Sequence, residues 1–518
     1  MMKYLPTDVS SFSTMMTGNY LYIDKTRHIY NLFSAGKRLY FLSRPRRFGK
    51  SLLISTLKEL FLGNRALFKG LWIDSSDYEW AQYPVIHIDF AEIKGNSIDD
   101  LEANLLWRLQ SIAQDYSISI ESAPTLYTKL SLLVSQLART NKVVILVDEY
   151  DKPILDAITD LEKAENIKKV IASFYEVIKS LDVHIRALFI TGVTKFAKTS
   201  IFSGMNNLRD ISLNEHSAQL LGYTQEEIVN CFSDYIQAIA LKKNSSVGDI
   251  LEKMRLWYNG YRFSESEITV YNPFSVLYYL EQQKFANYWF KSGTPTFLIH
   301  LIKQQYIKLE EVPTEKVSLR HVESFELNNI PLIPLLFQAG YLTIADYDTN
   351  TDRMTLDYPN YEIKDSFVEY IVASLSYTSA LDVNSAAHQL IKTLDTYDID
   401  RFCVVLTSLF ANIPYSLRIN KESYYHSLFH FLMNLLMLET RSEQLTNKGR
   451  IDTVIIRDDY IYVFELKVNK KPEEALEQII NTKYYEAYII YNKPIILVGL
   501  SFIINKQGFS VTYVLKKM

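Results

Sequence analysis

The hydrophobic positions of residues 1–212 follow two alternating patterns. Predominantly apolar runs at residues 39–43, 84–90, 143–147 and 186–192 are separated by stretches at 52–61, 101–112 and 126–138 in which apolar residues recur every three or four positions. The runs predict strands buried on both faces, and the stretches predict amphipathic helices. An earlier helical stretch through Ile29, Leu32 and Phe33 stops at Gly36. Strands and helices in alternation specify an α/β fold, a parallel sheet with helices on both faces.

Beyond residue 212 the pattern changes. Residues 213–258 read as helices, with Thr224 and Glu227 spaced as a capping box, and predict a helical lid. Asn259-Gly260 marks a turn, and Asn272-Pro273 starts a helix through Leu277 and Leu280. A helical or winged-helix-like module is expected up to Ala345, and a helical connector follows. Glu422 opens a long amphipathic helix through Phe429, Leu432, Leu435 and Leu436. A turn and strand at 449–456, a hairpin at Asp458-Asp459, a return strand at 460–467 and a helix at 474–485 carrying Gln478 complete a second α/β domain. The expected divisions are 1–212, 213–345, 346–417 and 418–518.

Composition narrows the class. A chain of 518 residues accommodates about three domains. Hydrophobic residues at 48% and charged residues at 22% belong to a soluble globular protein. A net charge of −4 offers no global basic field, although a local basic groove is compatible with it. Two cysteines, Cys231 and Cys403, are no disulfide framework and fit a reducing compartment. The N-terminus lacks the apolar core of a signal peptide. The most apolar helical stretch, 428–438, is too short for a bilayer and contains His430 and Asn434. A cytoplasmic protein without a membrane partner is expected.

Candidate chemistry begins at Arg44-Pro45-Arg46-Arg47-Phe48-Gly49-Lys50-Ser51, between the first apolar run and the first long helix. A strand, a turn ending in Gly-Lys-Ser and a helix are what a phosphate-binding loop needs. Backbone N–H groups at a helix start attract an anion, the Lys reaches the terminal phosphates and the Ser hydroxyl ligates Mg²⁺. Arg44, Arg46, Arg47, Phe48, Gly49, Lys50, Ser51 and Leu52 are therefore candidate nucleotide-binding residues. Arg44 stands where the usual pattern has Gly, and Arg enters left-handed backbone less readily. The three arginines could serve phosphate or pair with acids elsewhere, and a basic turn before an amphipathic helix is the plainer alternative.

The run at 143–147 ends in Asp148-Glu149. A buried strand delivers these carboxylates to its C-terminal end, where α/β folds bind ligands. Asp148 is the candidate Mg²⁺ holder and Glu149 the residue that polarises the attacking water. After the strand at 186–192, Thr194 and Lys195 are candidates to sense the terminal phosphate.

A second constellation lies in the last domain. Glu465 and Lys467 share one face of their strand, and a hairpin can bring Asp452 to that face. Two carboxylates and a Lys are costly to bury without purpose and make sense around a divalent metal. Asp452 and Glu465 are the candidate ligands, Lys467 would position the water, and Gln478 and Glu422 would assist from flanking helices. An exposed hairpin with a surface Glu/Lys pair is the alternative. Residues 418–518 carry 14 Lys/Arg against 11 Asp/Glu, only mildly basic. His426 and His430 have helical spacing, but no third zinc ligand accompanies them.

Together, Tyr22-Ile23-Asp24-Lys25-Thr26, the Arg44–Leu52 loop, Asp148-Glu149-Tyr150-Asp151-Lys152-Pro153 and Ile201-Phe202-Ser203-Gly204-Met205-Asn206-Asn207-Leu208 resemble the bacterial AAA-ATPase-like family. The likeness extends through residues 257–263, 270–275 and 288–295, and Arg at position 44 is typical of that family. Glu422, Gly449-Arg450-Ile451-Asp452, Glu465-x-Lys467 and Gln478 resemble the core of the PD-(D/E)XK nuclease superfamily in order and spacing. The resemblance implies an ATP-binding domain gating a nuclease that uses Mg²⁺ or Mn²⁺ on nucleic acid, DNA foremost. It also implies a setting of defence or foreign-DNA processing and allows a homo-oligomer. A nucleotide-switched binding or scaffold protein whose nuclease fold no longer cuts is the alternative.

Overall fold

The computed structural model describes residues 2–518 apart from 35, 94–96, 197–200, 203–204, 206, 292–315, 320–321, 323, 328–329, 414–421, 441–452 and 506–507, and apart from the side chains of 422–423, 427, 437–440 and 484. The chain divides into two compact units, Met1–Gly293 with Thr314–Glu362, and Thr294–Pro313 with Ile363–Met518.

The first unit is built on a parallel sheet of β1 (Leu39–Ser43), β2 (Val85–Asp89), β3 (Val143–Asp148), β4 (Ile185–Gly192) and β5 (Arg209–Asp210), in the order β2-β3-β4-β1-β5. Every residue of β3 is buried, which is why its sequence is an apolar run and not an alternation. The helix Lys50–Phe61 follows β1 and turns Leu53, Ile54, Leu57, Leu60 and Phe61 onto Tyr40, Leu42, Val144, Leu146 and Phe189. The helices Ile98–Asp115, Leu126–Leu137 and Leu161–Ser180 pack against one another. The four predicted strands of residues 1–212 are all present, and β5 adds a short edge that the pattern did not announce.

A helical bundle follows within the same unit: Gln225–Cys231, Ser233–Lys242, Val247–Tyr258 and Pro273–Gln282, with a core that includes Ile23 from the opening segment. The Thr224–Glu227 capping box forms as expected. Between the last two helices lies a short ribbon of β6 (Tyr261–Arg262) and β7 (Thr269–Val270). An antiparallel sheet of β8 (Lys316–Ser318), β9 (Thr343–Asp348) and β10 (Arg353–Asp357), in the order β8-β10-β9, completes the unit with the helix Leu332–Ala339. Residues 346–357, placed in the expected connector, thus form most of the β9–β10 hairpin.

The second unit carries the helices Ala380–Asp395 and Ile399–Ala411, most of Tyr361–Ser376, and the helix Glu422–Thr440. Its sheet runs β11 (Thr453–Ile456), β12 (Ile461–Val468), β13 (Ile495–Asn505), β14 (Gly508–Lys517). β11 and β12 form the expected hairpin, β12 and β13 are parallel across the helix Pro472–Thr482, and β14 is antiparallel to β13. One face of β12 packs Phe464 on Phe402 and Phe429. Tyr462 Oη donates to Leu394 O, and Arg457 pairs with Asp395 at 2.7 Å, so the connector's helices are part of this unit's core. The opposite face packs Ile461 and Val463 against Ile479, Tyr488 and Leu497. The crossover helix comes close enough to β13 that a Cβ on Gly499 would lie 2.4 Å from Pro472 O. Among the described residues, no helix is long and apolar enough to cross a membrane.

Candidate functional site

In the first unit, three strand ends and one loop converge. β1 ends at Ser43, and Arg44 N donates to Gly192 O at 3.1 Å, tying the loop to the end of β4. Arg47 at φ 62° and Gly49 at φ 91° turn the backbone into the start of the helix Lys50–Phe61. A Cβ on Gly49 would meet only Leu221, at 3.9 Å, so left-handed backbone and not crowding is what favours Gly there. Beside the loop is a cavity of about 440 Å³, walled by Arg46, Arg47, Phe48, Gly49, Lys50, Ser51 and Leu52. Its volume is that of a small-molecule site. Glu149, Asp151, Lys152, Val193 and Leu221-Gly222-Tyr223 also line it.

Lys50 is buried, and its ammonium donates to the loop's own carbonyls, Arg44 O at 3.1 Å and Pro45 O at 3.0 Å. Burial pushes its pKa down, while Glu149, Asp148 and Asp151 pull it back up. A cation held over a loop that ends in a helix N-terminus is set to receive phosphate charge. Glu149, at φ 48°, has its carboxyl pushed up by burial, with Lys50 opposing. A base of raised pKa is better matched to abstracting a proton near neutrality.

Four sequence-predicted residues stand outside the cavity wall. Arg44 is 1% exposed, and its guanidinium donates to Ser43 O at 2.9 Å, Ser212 O at 2.5 Å and Ser217 O at 3.2 Å, over the ring of Phe263. Three carbonyls hold its two terminal nitrogens, while its Nε is buried without a partner, so it braces the loop from behind and forms no part of the cavity wall. Thr194 also misses the wall: its N–H and hydroxyl both donate to Asp151 Oδ2 at 2.6 Å. Lys195 is ion-paired with Asp210. Asp148 closes β3 at 2% exposure, accepting from Glu149 N at 3.1 Å and from the hydroxyl of Thr191, just behind Glu149 and Asp151.

The structure adds residues that sequence reasoning did not select. Asp151 ties the Asp148–Asp151 stretch to the end of β4, and its signal was a second acid two positions after Glu149. Lys25, from the Tyr22–Thr26 motif, is in the cavity wall and bridges Glu227 at 2.6 Å and 2.8 Å. Asp89 pairs in register with Asp148, and burial, reinforced by Asp148 and Glu149, pushes its carboxyl up to about 6.

In the second unit, Glu465 is buried on β12, and Lys467 Nζ donates to its Oε1 at 3.1 Å. With Ile461 and Val463 they occupy alternate positions, on the face covered by the helix Pro472–Thr482, which carries Gln478 half-buried. Glu465 is therefore interior and Lys467 half-buried, unlike the exposed hairpin pair of the alternative reading. Asp452 lies outside the described residues, as does the side chain of Glu422, whose helix backbone is described. Among the described residues, no three His, Cys, Asp or Glu side chains group to hold a metal.

Comparison with known proteins gives two family matches: the family described as predicted AAA-ATPase over residues 6–202, and the PD-(D/E)XK nuclease superfamily over residues 420–510. A protein of Azotobacter chroococcum mcd 1, named an uncharacterized protein in the vnfD 5'region, is 36% identical over 516 residues, covering 96% of each chain. The Aeropyrum pernix Orc1 protein, solved in complex with DNA, overlaps 69% of this chain and 96% of its own at 10% identity and a TM-score of 0.26, a likeness that carries no argument.

Proposed function

This chain belongs to the family of predicted AAA-ATPases that carry a C-terminal PD-(D/E)XK nuclease superfamily domain, and we propose that it binds and hydrolyses ATP in the first unit to gate metal-dependent cleavage of nucleic acid, DNA foremost, in the second. The observation that carries the ATP half is the cavity that Gly49, Lys50, Ser51 and Glu149 all line.

The residues present fit a nucleoside triphosphate and its Mg²⁺. The loop and the helix start offer N–H groups to the phosphates, and Lys50 offers a buried positive charge. Ser51 and Asp148 would hold the Mg²⁺, which neutralises phosphate charge when bound. Glu149 takes the proton of the attacking water. Asp151 holds the turn after β4 in place while Glu149 does so. The apolar wall at Leu221, Ile23 and Leu277 suits the base.

In the second unit, Glu465 is a hard oxygen donor of the kind Mg²⁺ or Mn²⁺ takes, and Asp452 would be its fellow ligand; the bound ion would polarise a water and the scissile phosphate. Lys467 would orient a water there and offset the charge that develops on the phosphate. Gln478 and Glu422 would hydrogen-bond from their helices. What supports this reading over a surface pair is that Glu465 is interior and Lys467 half-buried beside it.

Gating requires only a few kcal/mol of differential ATP affinity between two states. The test is cleavage of supercoiled plasmid and single-stranded DNA with Mg²⁺ or Mn²⁺, with and without ATP, for wild type and Lys467→Ala. ATP-dependent cutting that Lys467→Ala abolishes is expected. Folded protein that binds ATP but cuts neither DNA nor RNA overturns the nuclease half and leaves a nucleotide-switched binding protein.

A further inference from the structure

Between β1 and Gly49 the phosphate-binding loop consists of Arg44, Pro45, Arg46, Arg47 and Phe48, residues with none of glycine's conformational ease. Its shape is imposed from outside. The Arg44 guanidinium lies 4.1 Å from the ring centre of Phe263, and that of Arg47 lies 4.9 Å from that of Phe274. Phe48 meets Tyr261 edge-on at 4.7 Å. A Cβ on Gly340 would come within 2.6 Å of Pro45, at a residue that also has φ 89°. Every residue of the loop before Gly49 is thus met by the module that follows the parallel sheet.

Arg46 is met through its backbone. The indole of Trp289 donates to Arg46 O at 2.8 Å. A trans peptide sets its N–H opposite its C=O, so fixing this carbonyl also fixes the direction of Arg47 N–H. Trp289 is itself held: its ring packs edge-on to Tyr341 at 5.3 Å, and its backbone N–H donates to Glu362 Oε1 at 2.6 Å. Glu362 is fully buried, and its other oxygen accepts from Ser275 Oγ at 2.7 Å. Neither Trp289 nor Glu362 lines the cavity, so neither would touch a nucleotide held there.

We propose that Trp289, seated by Glu362, is a positioning residue for the phosphate-binding loop, and that through its indole N–H the following module sets the affinity for nucleoside triphosphate. The inference rests on the reading of the loop as an ATP site. It explains how a loop without its first glycine holds a phosphate-ready shape, and it makes coupling reciprocal: what the module does to nucleotide affinity, nucleotide does to the module.

The test uses the full chain. Trp289→Phe keeps an aromatic ring against Tyr341 and removes the N–H. A fluorescent ATP analogue is titrated into wild type, Trp289→Phe and Lys50→Ala, and ATP hydrolysis is measured in parallel. Loss of one hydrogen bond predicts Kd and KM raised about fivefold to tenfold in Trp289→Phe, with kcat within about twofold of wild type. Hydrogen exchange at residues 285–291 in wild type, slowed when ATP is added, reads the reverse direction and does not depend on the variant folding. An unchanged Kd in well-folded Trp289→Phe, a kcat that falls with KM unmoved, or exchange at 285–291 indifferent to ATP overturns the inference while wild type still binds nucleotide. Wild type that binds no nucleotide, or Lys50→Ala that binds like wild type, overturns the ATP reading and this inference with it.

Discussion

The carboxylate of Asp151 accepts both the backbone N–H and the hydroxyl of Thr194, each at 2.6 Å, and the N–H of Val193 at 3.1 Å. The turn after β4 is thereby pinned to the stretch that carries Glu149. Tyr150 reinforces the junction, its N–H donating to Thr191 O and its hydroxyl to Thr194 O. An Asn at 151 keeps one acceptor oxygen and turns an NH₂ toward N–H donors. Asp151→Asn is expected to lower kcat for ATP on the order of tenfold, since a small misplacement of a catalytic group is costly. Thr194→Ala removes only the hydroxyl and should cost less. Steady-state kinetics of the two variants decide it: a wild-type kcat in Asp151→Asn means the junction does not position Glu149.

Glu149 itself supplies a pH signature. Burial raises its carboxyl pKa above the ordinary 4.5, and Lys50 only partly opposes this. The base must be ionised to accept a proton, so activity is lost as the pH falls through the raised pKa. The acidic limb of the kcat/KM profile is expected above pH 4.5. Glu149→Gln should lose on the order of 10²-fold in kcat and still bind the fluorescent ATP analogue. ATPase activity that persists in Glu149→Gln would remove it as the base.

How legible this was depended on how local each signal is. The strands of the first sheet could be read because their apolar runs are contiguous. That Gly49, Lys50, Ser51 and Glu149 come to one cavity could be read because each sits within a few residues of the strand that delivers it. Arg44 could not: its direction is set by the carbonyls of Ser212 and Ser217, 168 and 173 residues away. Thr194 was chosen for its place after β4, but its partner depends on how two strand ends meet. Glu362 carried no sequence signal at all, because Trp289 and Ser275 lie 73 and 87 residues from it. The Glu465–Lys467 pair was visible as a pair, and only packing by the crossover helix distinguishes it from a surface pair.

Gly260 is expected to tolerate no side chain. Its φ is 97°, and a Cβ there would lie 1.8 Å from Pro359 O. Relief requires moving backbone, since the obstacle is a carbonyl, and Asn360 Nδ2 donates to Asn259 O at 2.8 Å right beside it. Gly260→Ala should destabilise the first unit by at least ~2 kcal/mol, combining strained backbone with overpacking. Calorimetry of the full chain should show one transition moved down. An unmoved thermogram means the two backbones are not held at this distance in solution.

Glu362 makes stability depend on pH in a defined direction. Burial pushes its carboxyl up to about 8 from an ordinary 4.5, against the opposing effect of Ser275 and the N–H groups of residues 288–290. The folded state therefore keeps the proton over a range in which the unfolded chain has released it. A raised folded pKa contributes stability that is fully present below pH 4.5 and is lost as the pH rises through about 8. Thermal stability of the first unit should thus decline from pH 5 to pH 9. Glu362→Gln has a neutral group of nearly the same shape at every pH, so its decline should be shallower and the variant should be the more stable of the two at pH 9. The variant's amide oxygen can still accept from Trp289 N–H, so nucleotide affinity at pH 6 should stay close to wild type. Melting temperatures measured for the two proteins across this range decide it: declines of equal slope would instead mean that Glu362 is ionised in the fold at all these pH values, its bonds to Ser275 and Trp289 offsetting its burial in full.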